Sequence, residues 1–451
     1  MSQISHARLD RTFHPGDSGA HGAPRLRRVA LACATLLLPL SAAATNGYFP
    51  HGYGIKAKGM GGVSVALSHD SMGGANNPAS MAFAGDRLDL GLEWFNPERS
   101  ASRSGSMMGL IDFESDSGSR HHFVPEFGYS RSLTPQLSAG VTVYGNGGMN
   151  TDYPTGATSC GNPAGNVLNG LCGSSRLGVD MMQLIVAPTA AYQVAPGHAL
   201  GVAPLLAYQR FKVSGLQGFE GMSSSPGSVT DNGYDSSTGF GLRIGYQGRF
   251  GPVTLGAAYA TQTHMGKFDK YKGLFAEQGG FDIPSHYAVG IAFQATPSLQ
   301  LAADWMQIRY SDVASVHNPS ASSQLLGADA GAGFGWQDVK VLKIGLQWQA
   351  MPELVLRAGY NRGSNPVQSA DVTFNILAPG VIRSHYTLGG TWQMSPGSEL
   401  TLAYMRAPEE QVSGASMYNG FPPFNSTPGG GGSETIRMRQ QALGVAWALK
   451  F

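Results

Sequence analysis

The feature that most constrains this chain is a two-residue period that returns in many separate segments from residue 87 to the C-terminus. In segments of about 10 to 14 residues, apolar and polar side chains alternate. The last segment places on one face Leu443, Val445, Trp447, Leu449 and Phe451. Successive side chains of a strand point to opposite faces, and in a membrane-spanning barrel one face meets lipid while the other lines the lumen. The period therefore predicts lipid-facing strands.

Two kinds of connection alternate between these segments. The short turns carry proline, which suits a tight reversal because its φ is fixed: Pro135, Pro196, Pro252, Pro297, Pro352 and Pro396. The long polar segments are 100–119, 148–175, 216–236, 266–284, 313–338, 365–381 and 411–435. Six short turns and seven long loops require fourteen strands, with both ends on the periplasmic side. We predict an all-β fold, a fourteen-stranded antiparallel transmembrane β-barrel over residues 87–451.

The composition fits this fold and excludes one class of partner. Charged residues make up only 13% of the 451 positions, and the mean hydropathy of -0.11 is near neutral because a barrel averages an apolar face with a polar one. The formal net charge is +1, and no basic stretch contains interleaved aromatic residues. We therefore expect no nucleic-acid partner.

One uncharged region is open to a second interpretation. Residues 184–209 contain no Asp, Glu, Lys or Arg and resemble a membrane-spanning helix in this respect. Pro188, the Pro196-Gly197 pair and Pro204 interrupt the region, and a helix interior tolerates such prolines poorly. Two uncharged strands around a turn are the better interpretation.

The N-terminus has the pattern of an export signal. Arg25, Arg27 and Arg28 precede the apolar run 29–40, and three alanines at 42–44 form a small-residue cleavage site. The apolar run is too short to cross a bilayer. Residues 1–44 are therefore predicted to be a signal peptide, and the barrel pattern places the mature protein in the outer membrane of a Gram-negative cell.

Cysteine usage agrees with export. Cleavage would remove Cys33 and leave Cys160 and Cys172 within a stretch rich in Gly, Asn and Ser. An even pair in an oxidising compartment predicts a disulfide.

The residues between the cleavage site and the first strand differ in character from the rest. They are rich in Gly, Ala, Ser and Asn, and they include Thr45 to Phe49, Lys58 to Gly62, Asp70 and the motif Asn76-Asn77-Pro78-Ala79. This segment is similar to the N-terminal plug, or hatch, of the FadL/TodX family. The stretch from Tyr144 to Tyr153 is similar to the family's third strand and its exit. The resemblance implies a plug at 45–86 inside the barrel.

The resemblance also implies a function, which is passive inward transport of hydrophobic compounds and of long-chain fatty acids above all. An apolar molecule needs an apolar groove and a protected path through a polar surface layer. Members of the family are thought to release the ligand sideways into the membrane through a gap in the third strand. Gly145, Gly147 and Gly148 are the candidates for this gap, since glycine in a strand marks bulges or bends. Alternatively, the third strand ends there and the glycines begin the next loop.

Candidate ligand-binding residues follow from strand parity. We predict that Arg210 and Lys212 point into the lumen with Tyr208, and that Arg243, Lys343 and Arg357 point inward as well. An inward cation in an apolar lumen would bind a carboxylate strongly. In the alternative interpretation these cations pair with acids such as Glu126 or Asp304. Arg210 is the best single candidate because it lies towards the outer end of the fifth strand.

Aromatic and apolar residues outside the strands offer two further candidates. Tyr48 and Phe49 would either fill the binding pocket until ligand displaces them or only anchor the plug. The loops 266–284 and 313–338 are unusually apolar, which favours either a hydrophobic collecting groove or self-packing of the loops.

Other functions are less well supported. Neither a Gly-x-Ser-x-Gly elbow nor a His-Glu-x-x-His motif occurs, so we expect no catalytic residues, no metal and no cofactor. The remaining alternatives are an aromatic-hydrocarbon channel and a surface adhesin or receptor with a plugged lumen. The expected partners are a hydrophobic ligand, outer-membrane lipid and lipopolysaccharide. The strand that ends at Phe451 resembles the signal that the barrel-assembly machinery reads.

Overall fold

The computed structural model describes residues 46–160 and 167–451. Within them, fourteen long antiparallel strands follow one another around a closed barrel, in which the last strand pairs with the first. This confirms the predicted all-β barrel. The strands are β1 (Arg87–Ser106), β2 (His122–Ser132), β3 (Leu137–Asn150), β4 (Gly178–Ala195), β5 (His198–Ser214), β6 (Asp235–Phe250), β7 (Val253–Ala260), β8 (His286–Thr296), β9 (Leu299–Ile308), β10 (Val339–Met351), β11 (Leu354–Gly363), β12 (Ser384–Ser395), β13 (Ser398–Ala415) and β14 (Gly431–Lys450). The signal peptide predicted at 1–44 lies outside the described residues.

Short elements occupy the N-terminal segment and the long loops. Two short strands, Phe113–Asp116 and His264–Met265, pair with β1 and β6. The helices are α1 (Ile55–Lys58), α2 (Met81–Ala84), α3 (Ala276–Gly279), α4 (Ala314–His317) and α5 (Val372–Asn375). Single 3₁₀ turns lie at Ser71–Ala75, Pro78–Ser80, Met107–Gly109, Gln217–Met222, Pro226–Ser228, Asp269–Tyr271, Tyr310–Asp312, Ser369–Asp371, Met417–Gly420 and Phe424–Ser426. None of the helices within 46–160 and 167–451 is long and apolar enough to cross a membrane.

The alternation predicted for the strands is observed. In β14 the side chains of Leu443, Val445 and Trp447 are exposed on the outside, whereas Ala442 and Ala448 are buried. The pairing of the last strand with the first closes the sheet, which removes the open edges that an unclosed sheet would expose to lipid.

Every predicted proline turn lies between two paired strands. The uncharged region 184–209 forms most of β4 and β5, which reverse between Ala195 and His198. The two-strand interpretation of this region is therefore confirmed.

The residues that precede β1 contact the inner faces of several strands. Nearly all side chains from residue 46 to residue 82 are buried, and we call residues 46–84 the N-terminal segment. Its backbone N–H groups at Gly61 and Ser64 donate to Thr387 of β12 and Asp304 of β9, over 2.7 and 2.8 Å. On another side of the wall, the Asn77 side chain donates to the Tyr246 carbonyl of β6 over 2.8 Å. Because its partners surround it, the segment lies within the lumen.

Glycines on the inward face make room for this segment. A Cβ atom on Gly245 of β6 would lie 2.0 Å from the Asn77 side-chain oxygen, and one on Gly359 of β11 would lie 2.1 Å from the Gly61 nitrogen. These close approaches require the absence of a side chain in the wall. They explain part of the high glycine content.

Candidate functional site

Strand β3 leaves the barrel wall halfway along its length. It pairs with β2 only as far as Val143 opposite Phe127, although β2 continues to His122 and remains paired with β1. On its other side, β3 stays paired with β4 up to Asn150 but shifts register between Gly145 and Gly147. The wall between β2 and β3 is therefore interrupted above Val143 in the described part of the chain, and we call this interruption the β3 break.

The predicted gap glycines lie at this break. The sequence left open whether β3 ends at Gly145, Gly147 and Gly148, and the structure shows that the strand continues through them with a bulge. A Cβ atom on Gly147 would lie 2.0 Å from the carbonyl oxygen of Tyr48, so the bulged strand rests directly on the N-terminal segment. A bulge bends a strand locally and so changes its direction.

An aromatic cluster surrounds the start of the N-terminal segment, and we define it as Tyr48, Phe49, Phe281, Tyr310 and Trp336. The Tyr48 ring lies 5.3 Å from that of Tyr310 and 6.0 Å from that of Trp336, measured between centroids. The Tyr310 hydroxyl donates to the Asn46 carbonyl over 2.6 Å and accepts from the Tyr48 N–H over 3.1 Å. All five side chains are buried. The cluster fills the lumen beside the β3 break.

An apolar pocket of about 40 Å³ lies between β5 and the outer loops, and we call it the outer pocket. It is lined by Val179, Phe211, Val213, Leu216, Phe219, Leu274, Phe275, Ser315, Leu326, Ala332, Gly333, Phe334, Phe374 and Leu377. Nearby, burial raises the pKa of Tyr271, whose neutral hydroxyl donates to the Gly233 carbonyl over 2.5 Å. Among the described residues no charged side chain lines the pocket, and the apolar loops 266–284 and 313–338 supply half of its lining. Their side chains pack against one another and leave only this small space, so the collecting groove and the self-packing of the loops both stay open.

Arg243 of β6 points into the lumen, as predicted, and has no acidic partner in the part of the chain that the structure describes. Its guanidinium donates to the Ala75 carbonyl and, over 3.0 Å, to the Tyr144 hydroxyl, and it lies 3.5 Å from His286. Its side chain is almost completely buried, and among the described residues it has no carboxylate within 4.0 Å. A buried cation without a counter-charge is costly and therefore rare. Through Tyr144, Arg243 touches β3 immediately before the bulge.

The other two predicted inward cations, Lys343 and Arg357, also lie inside the barrel. Lys343 of β10 stands opposite Asp304 of β9 and donates to the Gly62 carbonyl over 3.4 Å. Arg357 donates to the side chains of Gln347 and Thr391, over 2.7 Å in each case. Neither has a carboxylate within 4.0 Å among residues 46–160 and 167–451, so Arg243 is distinguished by its contact with Tyr144 beside the β3 break.

The prediction that Arg210 and Lys212 point inward is wrong. In β5 the buried positions are the odd ones, which include Phe211, while Arg210 and Lys212 lie on the outer face beside the Tyr234 ring, 4.2 and 4.9 Å from its centroid. Arg210 also lies 4.0 Å from Asp180. The parity rule failed because the lumen is apolar at this level, so the apolar face of β5 is the inner one.

The sequence reasoning missed Arg99 of β1. Its buried side chain donates to the Ser119 carbonyl over 3.0 Å, and it lines a pocket of about 20 Å³ together with Tyr48 and Gly148 beside the β3 break. Strand parity could have identified it, since Arg99 lies on the same face of β1 as Glu93, whereas Leu90 and Leu92 lie on the other face, towards lipid.

Glu126, the other acid considered as a partner for an inward cation, pairs with Lys58 of the N-terminal segment. The Lys58 ammonium lies 2.5 Å from Glu126 and 2.8 Å from Glu93. Burial lowers the pKa of Lys58, but the two carboxylates outweigh this effect and raise it above the usual range. The segment is therefore held to β1 and β2 by a buried ion cluster.

The motif Asn76-Asn77-Pro78-Ala79 positions the segment locally. The Asn77 side chain accepts from the Ala79 N–H over 3.1 Å and so caps the 3₁₀ turn that Pro78 begins. Its amide nitrogen donates to Val65 within the segment, over 2.8 Å. The Asn76 side chain binds the backbone of Tyr53. The motif thus docks the segment against the barrel wall and holds its local fold.

A polar cavity of about 640 Å³ lies on the periplasmic side of the segment. Lys56, Arg87, Arg357, Glu399 and Lys450 contribute to its lining, and Glu399 pairs with Lys56 over 2.6 Å and with Arg87 over 3.2 Å. The outer pocket is therefore apolar, whereas the cavity on the other side of the segment is lined by charged groups.

The predicted cysteine pair is bonded. Cys160 and Cys172 form a disulfide in the loop between β3 and β4, with their Cα atoms 5.7 Å apart. It lies in an outer loop and joins no strands.

Comparison with known proteins agrees with this architecture. The family described as outer membrane protein transport protein (OMPP1/FadL/TodX) matches residues 51–420. Similar solved structures are the toluene transporter TodX of Pseudomonas putida (18% identity, 89% of this chain and 99% of that chain, TM-score 0.66) and a FadL homologue of Pseudomonas aeruginosa (14%, 90% and 100%, 0.64). A third is the toluene transporter TbuX of Ralstonia pickettii (16%, 89% and 99%, 0.59). A search of curated proteins gives no significant match.

The matched range covers most of the barrel as well as the N-terminal segment from residue 51. The strand count and the closed barrel agree with an outer-membrane location. The chain belongs to the OMPP1/FadL/TodX family of outer-membrane transport proteins.

Proposed function

We propose that this protein is a passive channel that takes long-chain fatty acids from outside the cell and releases them sideways at the β3 break. The observation that carries the proposal is the position of the break. It lies beside the aromatic cluster and beside Arg243, where an apolar interior meets the barrel wall. In this proposal the N-terminal segment is a plug that blocks direct passage of the ligand through the lumen to the periplasm.

The change of polarity along the lumen supports sideways release. Above the segment a ligand would contact aromatic and aliphatic side chains, whereas below it the cavity is lined by charged groups. Moving each methylene of an acyl chain from an apolar to a polar site costs about 0.8 kcal/mol. A long chain therefore has a strong preference for lipid, reached through the wall, over the periplasmic cavity.

Arg243 supports a fatty acid as the substrate. A carboxylate that reached it would complete a charge-assisted bond in a buried site, where such a bond contributes about 1.5–3 kcal/mol. The outer pocket and the aromatic cluster would hold the acyl chain. Because the rings of the aromatic cluster pack against one another, Tyr48 and Phe49 move when ligand enters the cluster.

An aromatic hydrocarbon is the second candidate. The outer pocket has no charged side chain, and neutral aromatic ligands need none. Structures similar in fold include proteins described as toluene transporters. For such a ligand Arg243 would have no role.

Uptake by cells that lack their own transporters tests the proposal. Radiolabelled oleate and toluene are supplied to cells that express the intact protein or its Arg243→Gln variant. We expect oleate uptake at subsaturating concentration to fall about tenfold or more, because one charge-assisted bond is lost. Toluene uptake should not change.

Arg357→Gln is the matched control, since it removes an inward cation below the N-terminal segment, away from the proposed path. It should leave oleate uptake near the wild-type level. Oleate uptake that is indifferent to Arg243→Gln refutes the carboxylate site. Toluene uptake without oleate uptake identifies a hydrocarbon channel, and uptake of neither favours a surface receptor.

A further inference from the structure

The lipid-facing surface of β8 to β11 carries an apolar groove of about 570 Å³. It is lined by Ile291, Phe293, Leu301, Ala302, Ala303, Ile344, Gly345, Leu346, Ala358, Gly359 and Tyr360. The outward side chains of Ala303 and Ala358 are small, while Ile344 and Leu346 project between them. The surface is therefore furrowed along the strands, in a shape that accepts extended acyl chains.

Cations stand at the outer end of this groove. Tyr360 ends the groove and is followed on the same face of β11 by Arg362, while Lys340 lies on the outward face of β10, two outward positions beyond Ile344. Tyr360 pairs with Tyr386, and Tyr386 pairs with Arg406 of β13. Arg406 thus stands in register with the two tyrosines, and Arg362 and Lys340 stand two and four residues further towards the long loops. In outer-membrane barrels aromatic residues lie at the interface between lipid and water.

These three cations are not neutralised by the protein. Arg362 donates to the Ser384 and Tyr360 hydroxyl groups, over 3.1 and 3.4 Å. Within residues 46–160 and 167–451, no carboxylate lies within 4.0 Å of Arg362, Arg406 or Lys340.

Few acids lie near these cations, and two of them bind other residues. Glu410 pairs with Arg383 over 3.1 Å, and Asp338 accepts from Gln307 over 3.2 Å and from the Ser311 N–H over 3.0 Å. Glu409 is the remaining acid on this part of β13. The patch therefore keeps an excess of positive charge.

We propose that this surface binds a phosphorylated, multiply acylated glycolipid of the outer leaflet, the lipid A part of lipopolysaccharide. The acyl chains lie in the groove, and the phosphates contact Arg362, Arg406 and Lys340. Arg362 and Arg406 are two strand intervals and two residues apart. With about 4.8 Å between neighbouring strands and about 3.4 Å per residue along a strand, their Cα atoms are about 12 Å apart. This spread suits two phosphates at the ends of a disaccharide better than one phospholipid head group. Basic clusters at a membrane surface attract anionic lipid heads.

Native mass spectrometry of the purified protein in detergent tests the proposal, with bis-phosphorylated lipid A and its dephosphorylated form as probes. Each cation near an anionic lipid head contributes about fivefold in affinity. The double variant Arg362→Gln/Arg406→Gln should therefore bind bis-phosphorylated lipid A about 30-fold more weakly than the wild type. Its binding of the dephosphorylated form should not change.

The matched control removes two exposed cations near the periplasmic turns, with Arg131→Gln/Arg249→Gln. This variant should bind lipid A as the wild type does. A second variant, Ala303→Phe/Ala358→Phe, fills the groove with side chains that face lipid and so leaves folding intact; it should weaken binding of both forms.

Three results would overturn the proposal. The first is equal binding of lipid A by the wild type and the Arg362→Gln/Arg406→Gln variant. The second is an equal loss of affinity in the periplasmic control, and the third is equal affinity of the wild type for both probes. Unchanged affinity in the groove variant would overturn the placing of the acyl chains.

Discussion

Replacing Lys58 by methionine tests whether the N-terminal segment is fixed in the lumen by charge. The Lys58 ammonium lies between Glu93 and Glu126, and the side chains are 5%, 5% and 3% exposed. Removing one member of such a buried group leaves charges without a partner and costs about 3–5 kcal/mol. At a hydrated site the same change would cost at most about 1 kcal/mol. The difference is large enough to decide between the two environments.

The assay is equilibrium unfolding in urea, with the protein in lipid vesicles at pH 7, followed by tryptophan fluorescence. The triple variant Lys58→Met/Glu93→Gln/Glu126→Gln is the control, because it removes all three charges together and should recover most of the lost stability. In planar bilayers the single variant should also leak small ions, since the strand ladder persists while the segment loosens. A loss below about 1 kcal/mol for Lys58→Met would refute the reasoning.

Two further predictions concern β3 and the loop that follows it. Gly147→Ala should push the Tyr48 carbonyl away from the bulge and change oleate uptake at least severalfold. Gly145→Ala should have little effect, because its Cβ would meet only a Val124 methyl group, at 3.1 Å. Equal effects of the two variants on uptake would contradict a specific contact between Gly147 and Tyr48. Replacing Cys160 and Cys172 by serine should speed proteolysis within the loop 151–177 without changing uptake. Loss of the heat-modifiable band that a folded barrel gives on a gel would show instead that the disulfide is needed for the barrel to fold.

Much of the fold could be predicted from the sequence because its signals are local. The two-residue period defines the strands, and a proline in each short turn marks where the chain reverses. These signals gave the strand count and the start of β1 at Arg87. These local signals do not depend on the contacts inside the lumen.

The contacts inside the lumen could not be predicted in the same way. Glu126 was weighed as the partner of a cation on another strand, but it binds Lys58 of the N-terminal segment. Arg243 was placed correctly on the inner face, yet its lack of an acidic partner depends on how the segment folds around Tyr144 and Ala75. Strand parity gives the face of a residue, whereas its neighbours across the lumen depend on the whole barrel.

The error on Arg210 has a physical cause that also bears on function. In a water-filled barrel the polar face of every strand points inward, so parity and polarity agree. In β5 the inner face is polar at Gln209, which bonds to Gln183 and Ser237, but apolar at Phe211, where the outer pocket begins. Such a change within one strand is expected only if the outer part of the lumen excludes water. The position that misled the parity rule therefore marks an apolar outer end of the lumen, where the Phe211 ring packs against those of Phe268, Tyr271 and Phe275 and Arg210 lies on the outer face.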